Sequence, residues 1–258
     1  MDTVGTSVGE RPSLRILGTR VDLFPSAGSV LQNLMEQSQG GQRHLCYVNA
    51  HSLNLACTDI AYKQALAHAD LVLNDGIGLQ LAAKMRGARF AENLNGSDFT
   101  VRILQLAADR GWRVFFYGGE PGVAQAAGEH LMSEIDGLDV VDVCDGYSSE
   151  DPSDVILRIR AAQADVLVVA LGQPKQELWL DQYLADTGCH LGLGVGAFLD
   201  FASGRMTRAP RWMNELGVEW LFRLAQEPGR MWRRYVFGNP VFLWHAWRHR
   251  RRDQEALV

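Results

Sequence analysis

One pattern recurs through the middle of the chain and restricts its fold more than any other: a short apolar run, a glycine-bearing loop, then a helical stretch. Residues 112–117 read as a strand, Gly118-Gly119-Glu120-Pro121-Gly122 as a tight loop and 123–135 as a helix. The unit repeats as 138–143, Asp145-Gly146-Tyr147 and 154–162, then as 166–171, Gly172-Gln173-Pro174 and 175–184, and a last strand at 190–195 closes the series. Earlier segments fit the same scheme, with strands at 14–22, 44–49 and 71–73, helices at 52–69 and 79–85, and a helix capped by Gly96-Ser97-Asp98. Strands separated by helices cannot pair as hairpins, so the chain is expected to build an α/β, Rossmann-like parallel sheet with helices on both faces. Ligands of such sheets bind beyond the carboxyl ends of the strands, where these loops fall.

The pattern ends near residue 228, and charge changes with it. Residues 205–258 hold 11 arginines, no lysine and 5 acids, a balance of +6; the whole chain is −5, which leaves −11 on residues 1–204. We therefore expect a flexible start (1–13), a catalytic α/β body (14–228) and a basic aromatic appendage (229–258). Residues 230–237 and 242–252 mix arginine with Trp, Tyr and Phe, which suits an anionic membrane surface, with rings among the headgroups and guanidinium groups on phosphate. Nucleic acid needs the same cations, but an acidic body opposes it. A third reading packs the aromatic residues into a partner subunit, so a homo-oligomer stays open. No apolar run reaches the roughly 18 residues that signal a spanning helix, and no apolar stretch follows a basic start, so neither a membrane span nor a secretory signal is expected. The four cysteines show no C-x-x-C pair and read as reduced thiols, mostly buried.

Several loops carry candidate chemistry. Paired glycines and an early proline at 118–122 would let backbone N–H groups cradle a diphosphate, or would simply make a tight turn. Asp75, in Asn74-Asp75-Gly76-Ile77-Gly78, sits at a strand end where a general base belongs, although an Asp-Gly pair also commonly fixes a turn. In Gly172-Gln173-Pro174-Lys175-Gln176-Glu177, Lys175 could meet a phosphate and Gln176 a sugar, the plain alternative being a solvated first turn. Gly192-x-Gly194-x-Gly196-Ala197 lacks the dinucleotide-binding spacing, which disfavours an NAD-dependent oxidoreductase. There is no D-x-D, metal-ligand cluster, Walker A or G-x-S-x-G sequence, so no cofactor or metal is expected, and a bound diphosphate would need basic side chains and helix ends.

These segments together resemble the WecG/TagA/CpsF family of bacterial glycosyltransferases (glycosyltransferase family 26). The resemblance runs in order through Val48-Asn49-Ala50-His51-Ser52, Asn74-Asp75-Gly76-Ile77-Gly78, Gly96-Ser97-Asp98 and 116–122. It continues through Gly146-Tyr147, 172–177, 194–201, Arg208-Ala209-Pro210, 217–224 and Glu227-Pro228-x-Arg230. It implies an inverting, metal-independent enzyme that moves a sugar from a UDP-sugar to an undecaprenyl-diphosphate-linked saccharide, working peripherally on the inner face of the cell membrane. It also implies a C-terminal appendage that helps complete the site. Carried over, Asp75 is the general base, Gln176 a polar active-site group and Asn49 a pocket residue. Asn74, Gly118, Gly119, Glu120, Gly172, Lys175, Arg208, Arg223 and Arg230 are expected to contact substrate. Two positions depart from the family pattern: Tyr47 stands where Thr is usual, and Asn93 where Arg is usual, so a phosphate contact there would pass to Arg86, Arg89 or a tail arginine. A protein that binds a UDP-sugar as a sensor without turnover is the alternative.

Overall fold

Six parallel strands form the central sheet, in the order 71–74, 43–48, 191–194, 166–170, 113–118 and 139–144. The computed structural model describes residues 11–37, 41–147, 151–210, 213 and 218–255. The strands are β3 (Arg43–Val48), β4 (Leu71–Asn74), β5 (Arg113–Gly118), β6 (Asp139–Cys144), β7 (Val166–Ala170) and β8 (Leu191–Gly194). Runs such as Val166-Leu167-Val168-Val169 are fully buried, which a strand achieves only when helices cover both faces. On one face lie α5 (Gly96–Arg110) and α6 (Val123–Glu134), whose Phe99, Ile103, Leu104 and Ala127 pack with Phe116 and Val168. On the other, α8 (Lys175–Thr187) sets Trp179, Leu180 and Leu184 against Phe115, Leu167 and Val169. The architecture is the Rossmann-like sheet that the repeated pattern implies.

Two expected elements divide. Residues 14–22 form a hairpin, β1 (Ser13–Ile16) antiparallel to β2 (Thr19–Asp22), because Leu17 (φ 54°) and Gly18 (φ 77°) both take the left-handed turn conformation that a two-residue hairpin needs. Residues 52–69 are two helices, α2 (Ala50–Ala56) and α3 (Ile60–His68). Asp59 breaks the run by accepting the Tyr62 N–H at 2.9 Å and capping α3. The edge strand β4 meets the hairpin through Asp22, which takes the Val72 N–H at 2.8 Å. The short α4 (Ile77–Lys84) follows β4, α1 (Ala27–Gln37) precedes β3 and α7 (Pro152–Ala161) precedes β7.

Beyond β8 come α9 (Phe198–Ala202) and helices Glu219–Gln226 and Pro228–Trp232, a π-helical stretch Arg233–Gly238 and the last helix, Asn239–Glu255. Pro240 has no N–H for the carbonyl four residues back and its ring crowds that carbonyl, which favours the widened turn just before it. The last helix buries Phe242 and Ala246 among Leu14, Ile16, Leu53 and Leu79. Near its end the buried Asp253 accepts the Leu17 and Gly18 N–H groups at 3.1 and 3.0 Å and pairs with the fully buried Arg86. Its outer face shows Val241, Trp244 and Trp247 to solvent. Among the described residues no helix is long and apolar enough to cross a membrane, and the four cysteines are unpaired.

Candidate active site

A cleft of about 790 Å³ opens beyond the carboxyl ends of β3, β4, β5, β7 and β8, with residues of the C-terminal helices on one wall. Asn49, Asp75, Gly119, Glu120, Gly172, Lys175, Gln176 and Arg223 all line it, so eight of the twelve residues singled out from sequence come together there.

The cleft's first carboxylate is placed by helix capping. Asn49 is the N-cap of α2, and its Oδ1 accepts the His51 and Ser52 N–H groups at 3.0 and 3.1 Å. With the amide oxygen so engaged, the amide nitrogen must face the other way, and it donates to Asp75 Oδ2 at 3.4 Å. Asp75 itself is anchored by its N–H on Val48 O at 2.8 Å, one residue past β4. Burial raises its carboxyl above the ordinary Asp value, with Arg223, the Asn49 bond and Arg234 pulling it down. A carboxylate so placed is a stronger proton acceptor than a solvated one.

Gln176 is buried at the start of α8, and its amide is engaged at both ends. Oε1 accepts the Gly196 N–H at 2.9 Å, and Nε2 donates to Glu177 at 2.8 Å. Lys175, one residue earlier, is exposed at the cleft. Gln173 donates to Tyr47 O at 3.0 Å, which ties the 172–174 loop to β3.

The glycine loop after β5 is built for packing. At Gly118 (φ 133°) a Cβ would stand 2.4 Å from Ala170 O, so this glycine lets β5 and β7 approach and is not among the cleft-lining residues. The Gly119 N–H donates to Ala170 O at 3.2 Å and the Val123 N–H to Glu120 O at 3.0 Å. Those two amides are spent within the protein, while Gly119 and Glu120 themselves line the cleft. Glu120 pairs with Arg205 at 2.6 Å.

Two further expected contacts fall elsewhere. Asn74 is buried and donates to Glu92 O at 2.9 Å. Arg208 grips Asp98 at 2.9 Å and Ser97 O at 2.8 Å. The side chain of Arg230 lies outside the described residues. Arg86 is buried against Asp253 and so does not take over a phosphate contact from Asn93. Asn93 does line the cleft, accepting the Gly76 N–H at 2.8 Å.

Residues 14–256 match the model of the family described as "Glycosyl transferase WecG/TagA/CpsF family". The chain belongs to the WecG/TagA/CpsF family. It is accordingly a glycosyltransferase. Similar proteins include two named N-acetylglucosaminyldiphosphoundecaprenol N-acetyl-beta-D-mannosaminyltransferase. The protein of Bacillus spizizenii is 32% identical over 190 residues, covering 74% of this chain and 73% of its own length. That of Bacillus subtilis is 31% identical over 189 residues, 73% of each chain.

Some lining residues of this family member were not singled out from its sequence. Arg234, on the π-helical stretch, lines the cleft and is close enough to Asp75 and His51 to affect both. His51 is held down to about 4, first by burial and then by Arg234, so its ring is neutral at physiological pH. Arg205, Trp220, Tyr235 and Asn239 complete that wall, and Arg223 stacks 4.9 Å from the Phe201 ring centroid. Beyond the expectation, implied by the resemblance, that C-terminal arginines hold diphosphate, the signal for them was the density of arginine and aromatic residues in the tail, which reads equally well as outer surface.

Proposed function

We propose that this glycosyltransferase moves a sugar from a UDP-sugar to a saccharide carried on undecaprenyl diphosphate, by one inverting displacement without a metal ion. The names of the two Bacillus relatives favour N-acetylmannosamine as the sugar and an N-acetylglucosaminyl diphosphate lipid as the acceptor; the uronic acid of that sugar and glucose are the other donors to test. The observation that carries the reading is Asp75, held on the cleft floor by Asn49 with its carboxyl kept above the ordinary value by burial. Asp75 takes the proton from the acceptor hydroxyl as that oxygen bonds to the anomeric carbon. The bond from that carbon to the β-phosphate oxygen breaks, and UDP leaves with the electron pair. Arg223 and Arg234, which stand on the Asp75 side of the cleft, offset the charge growing on the diphosphate.

The enzyme would work peripherally at the inner face of the cell membrane. Arg248 and Arg250 stack on Trp244 and Trp247, with guanidinium carbons 5.1 and 4.7 Å from the ring centroids, which joins cation and ring on the exposed side of the last helix.

The test is release of UDP from a panel of UDP-sugars with an undecaprenyl-diphosphate-linked N-acetylglucosamine acceptor. One donor should give acceptor-dependent release, and Asp75→Asn should lower kcat by about 100-fold or more while changing donor affinity little. Near-normal turnover by Asp75→Asn would remove the base from its assigned role. UDP binding without release from any pair would count against the transfer reaction.

A further inference from the structure

Glu177 is a fully buried carboxylate beside the cleft that the transfer reaction above does not use. It occupies the third position of α8. One carboxylate oxygen accepts from Gln176 Nε2 at 2.8 Å, and the Gln173 amide lies near enough to pull on the group as well. Its neighbours include Tyr62 on α3 and Cys46 on β3, both fully buried and both feeling its charge. Among the described residues no ion pair compensates it. Burial pushes it up to about 7, against the pull of the Gln176 and Gln173 amides. A buried carboxylate is costly where a leucine would fill the same space, so a role beyond packing is indicated.

That role follows from what an ionised carboxylate can do, which is accept hydrogen bonds and nothing else. Facing Glu177, the Gln176 amide must turn its nitrogen inward and its oxygen outward, and the oxygen then receives the Gly196 N–H at 2.9 Å. Flipping the amide would set oxygen against oxygen on one side and NH₂ against N–H on the other. The loop is packed onto this amide directly, since a Cβ at Gly194 would lie 2.9 Å from Gln176 Nε2. Val195, Gly196 and Ala197 all line the cleft.

We propose that Glu177 is a positioning residue of the transfer reaction, its carboxylate holding the Gln176 amide in the one orientation that fixes the 195–197 turn in the cleft. The link to catalysis rests on the glycosyl-transfer reading given above; the link to the turn does not. A protonated Glu177 gains a donor, and so does Glu177→Gln, so either form lets the amide face both ways.

The experiment is hydrogen exchange at the Gly196 amide in the unliganded full chain at about pH 8, above the Glu177 value of about 7, with donor kinetics alongside. Glu177→Leu removes the acceptor and is expected to speed Gly196 exchange by about tenfold or more, with an unfolding temperature at or above that of the wild type. Glu177→Gln should fall between the two, and serves if the leucine variant does not fold. The kcat/KM for the UDP-sugar should follow the same order, wild type above Gln above Leu. Unchanged Gly196 exchange in both variants overturns the proposal, as does faster exchange spread evenly over the whole chain. Absence of wild-type turnover with every UDP-sugar sinks the donor reading instead, and the exchange result still decides the orientation of Gln176.

Discussion

Replacing Asp253 with Ala isolates what holds the last helix to the body. Asp253 lies 235 residues in sequence from its hydrogen-bond partner Gly18 and is 6% exposed, and the Arg86 side chain it pairs with is fully buried. The substitution leaves that guanidinium charged and without its carboxylate, and removes the acceptor for the Leu17 and Gly18 amides. Breaking a buried pair from one side costs about 3–5 kcal/mol, chiefly because the remaining charge is stranded in a poorly solvating place. For a chain of this size 1 kcal/mol moves the melting temperature by about 2–4 °C, so the variant should melt roughly 6–20 °C lower. The double variant Arg86→Met with Asp253→Leu removes both charges, and should recover to within a few degrees of wild type, because two well-packed apolar side chains need no partner. Calorimetry on the three proteins at one pH provides the comparison. The reasoning fails if Asp253→Ala melts within about 2 °C of wild type, or if the double variant melts as low as the single one.

Further outcomes are expected. Glu177 has a folded value of about 7 against an ordinary 4.5, so the native state holds the extra proton between these values and stability falls as pH rises through that window. Glu177→Gln lacks this loss; its stability advantage over wild type should grow from pH 4.5 to 7, to at most about 3 kcal/mol, in denaturant titrations at several pH values. Gly118→Ala drives a Cβ to 2.4 Å from the Ala170 carbonyl at a left-handed φ and should cost roughly 2–6 kcal/mol. Gly122→Ala, also left-handed but with open space around it, should cost only about 1–2 kcal/mol, and equal melting temperatures for the two would contradict the packing argument. Trp244→Ser with Trp247→Ser should weaken binding to phosphatidylglycerol vesicles by about tenfold or more, and unchanged co-sedimentation would remove the exposed helix face from the membrane contact.

The sequence made the sheet legible because strand, loop and helix alternate with little ambiguity, and parallel pairing follows from that alone. Asn49, Asp75, Lys175 and Gln176 were legible for a related reason: each directly follows a strand or opens the helix after it, and strand ends converge in such a fold. What stayed hidden depended on contacts distant in sequence. Nothing in Gly118-Gly119 tells which glycine exists for the neighbouring strand; only Ala170 does. The strand order is likewise a property of the packed molecule. Phe242, Ala246 and Asp253 sit in a stretch so rich in arginine and tryptophan that its inward face is masked, although they recur at three- to four-residue multiples. The break at Asp59 is masked in the sequence because apolar residues continue on both sides of it at helical spacing.

The π-helical stretch at 233–238 has a consequence for how the two faces of the C-terminal segment are kept in phase. A π stretch amounts to an extra residue inserted into an α-helix, and one residue of α-helix turns the chain by about 100°. Arg234 and Tyr235, within the stretch, look into the cleft, while Trp244 and Trp247, beyond it, look out to solvent. Winding 233–238 as α-helix with the same number of residues would rotate one group against the other by about that angle while leaving every side chain chemically intact. The fold thus sets the angular offset between the charged wall of the cleft and the aromatic outer face by the winding of this stretch, and the Asn54 amide clamps it by donating to the Gly238 carbonyl at 2.8 Å.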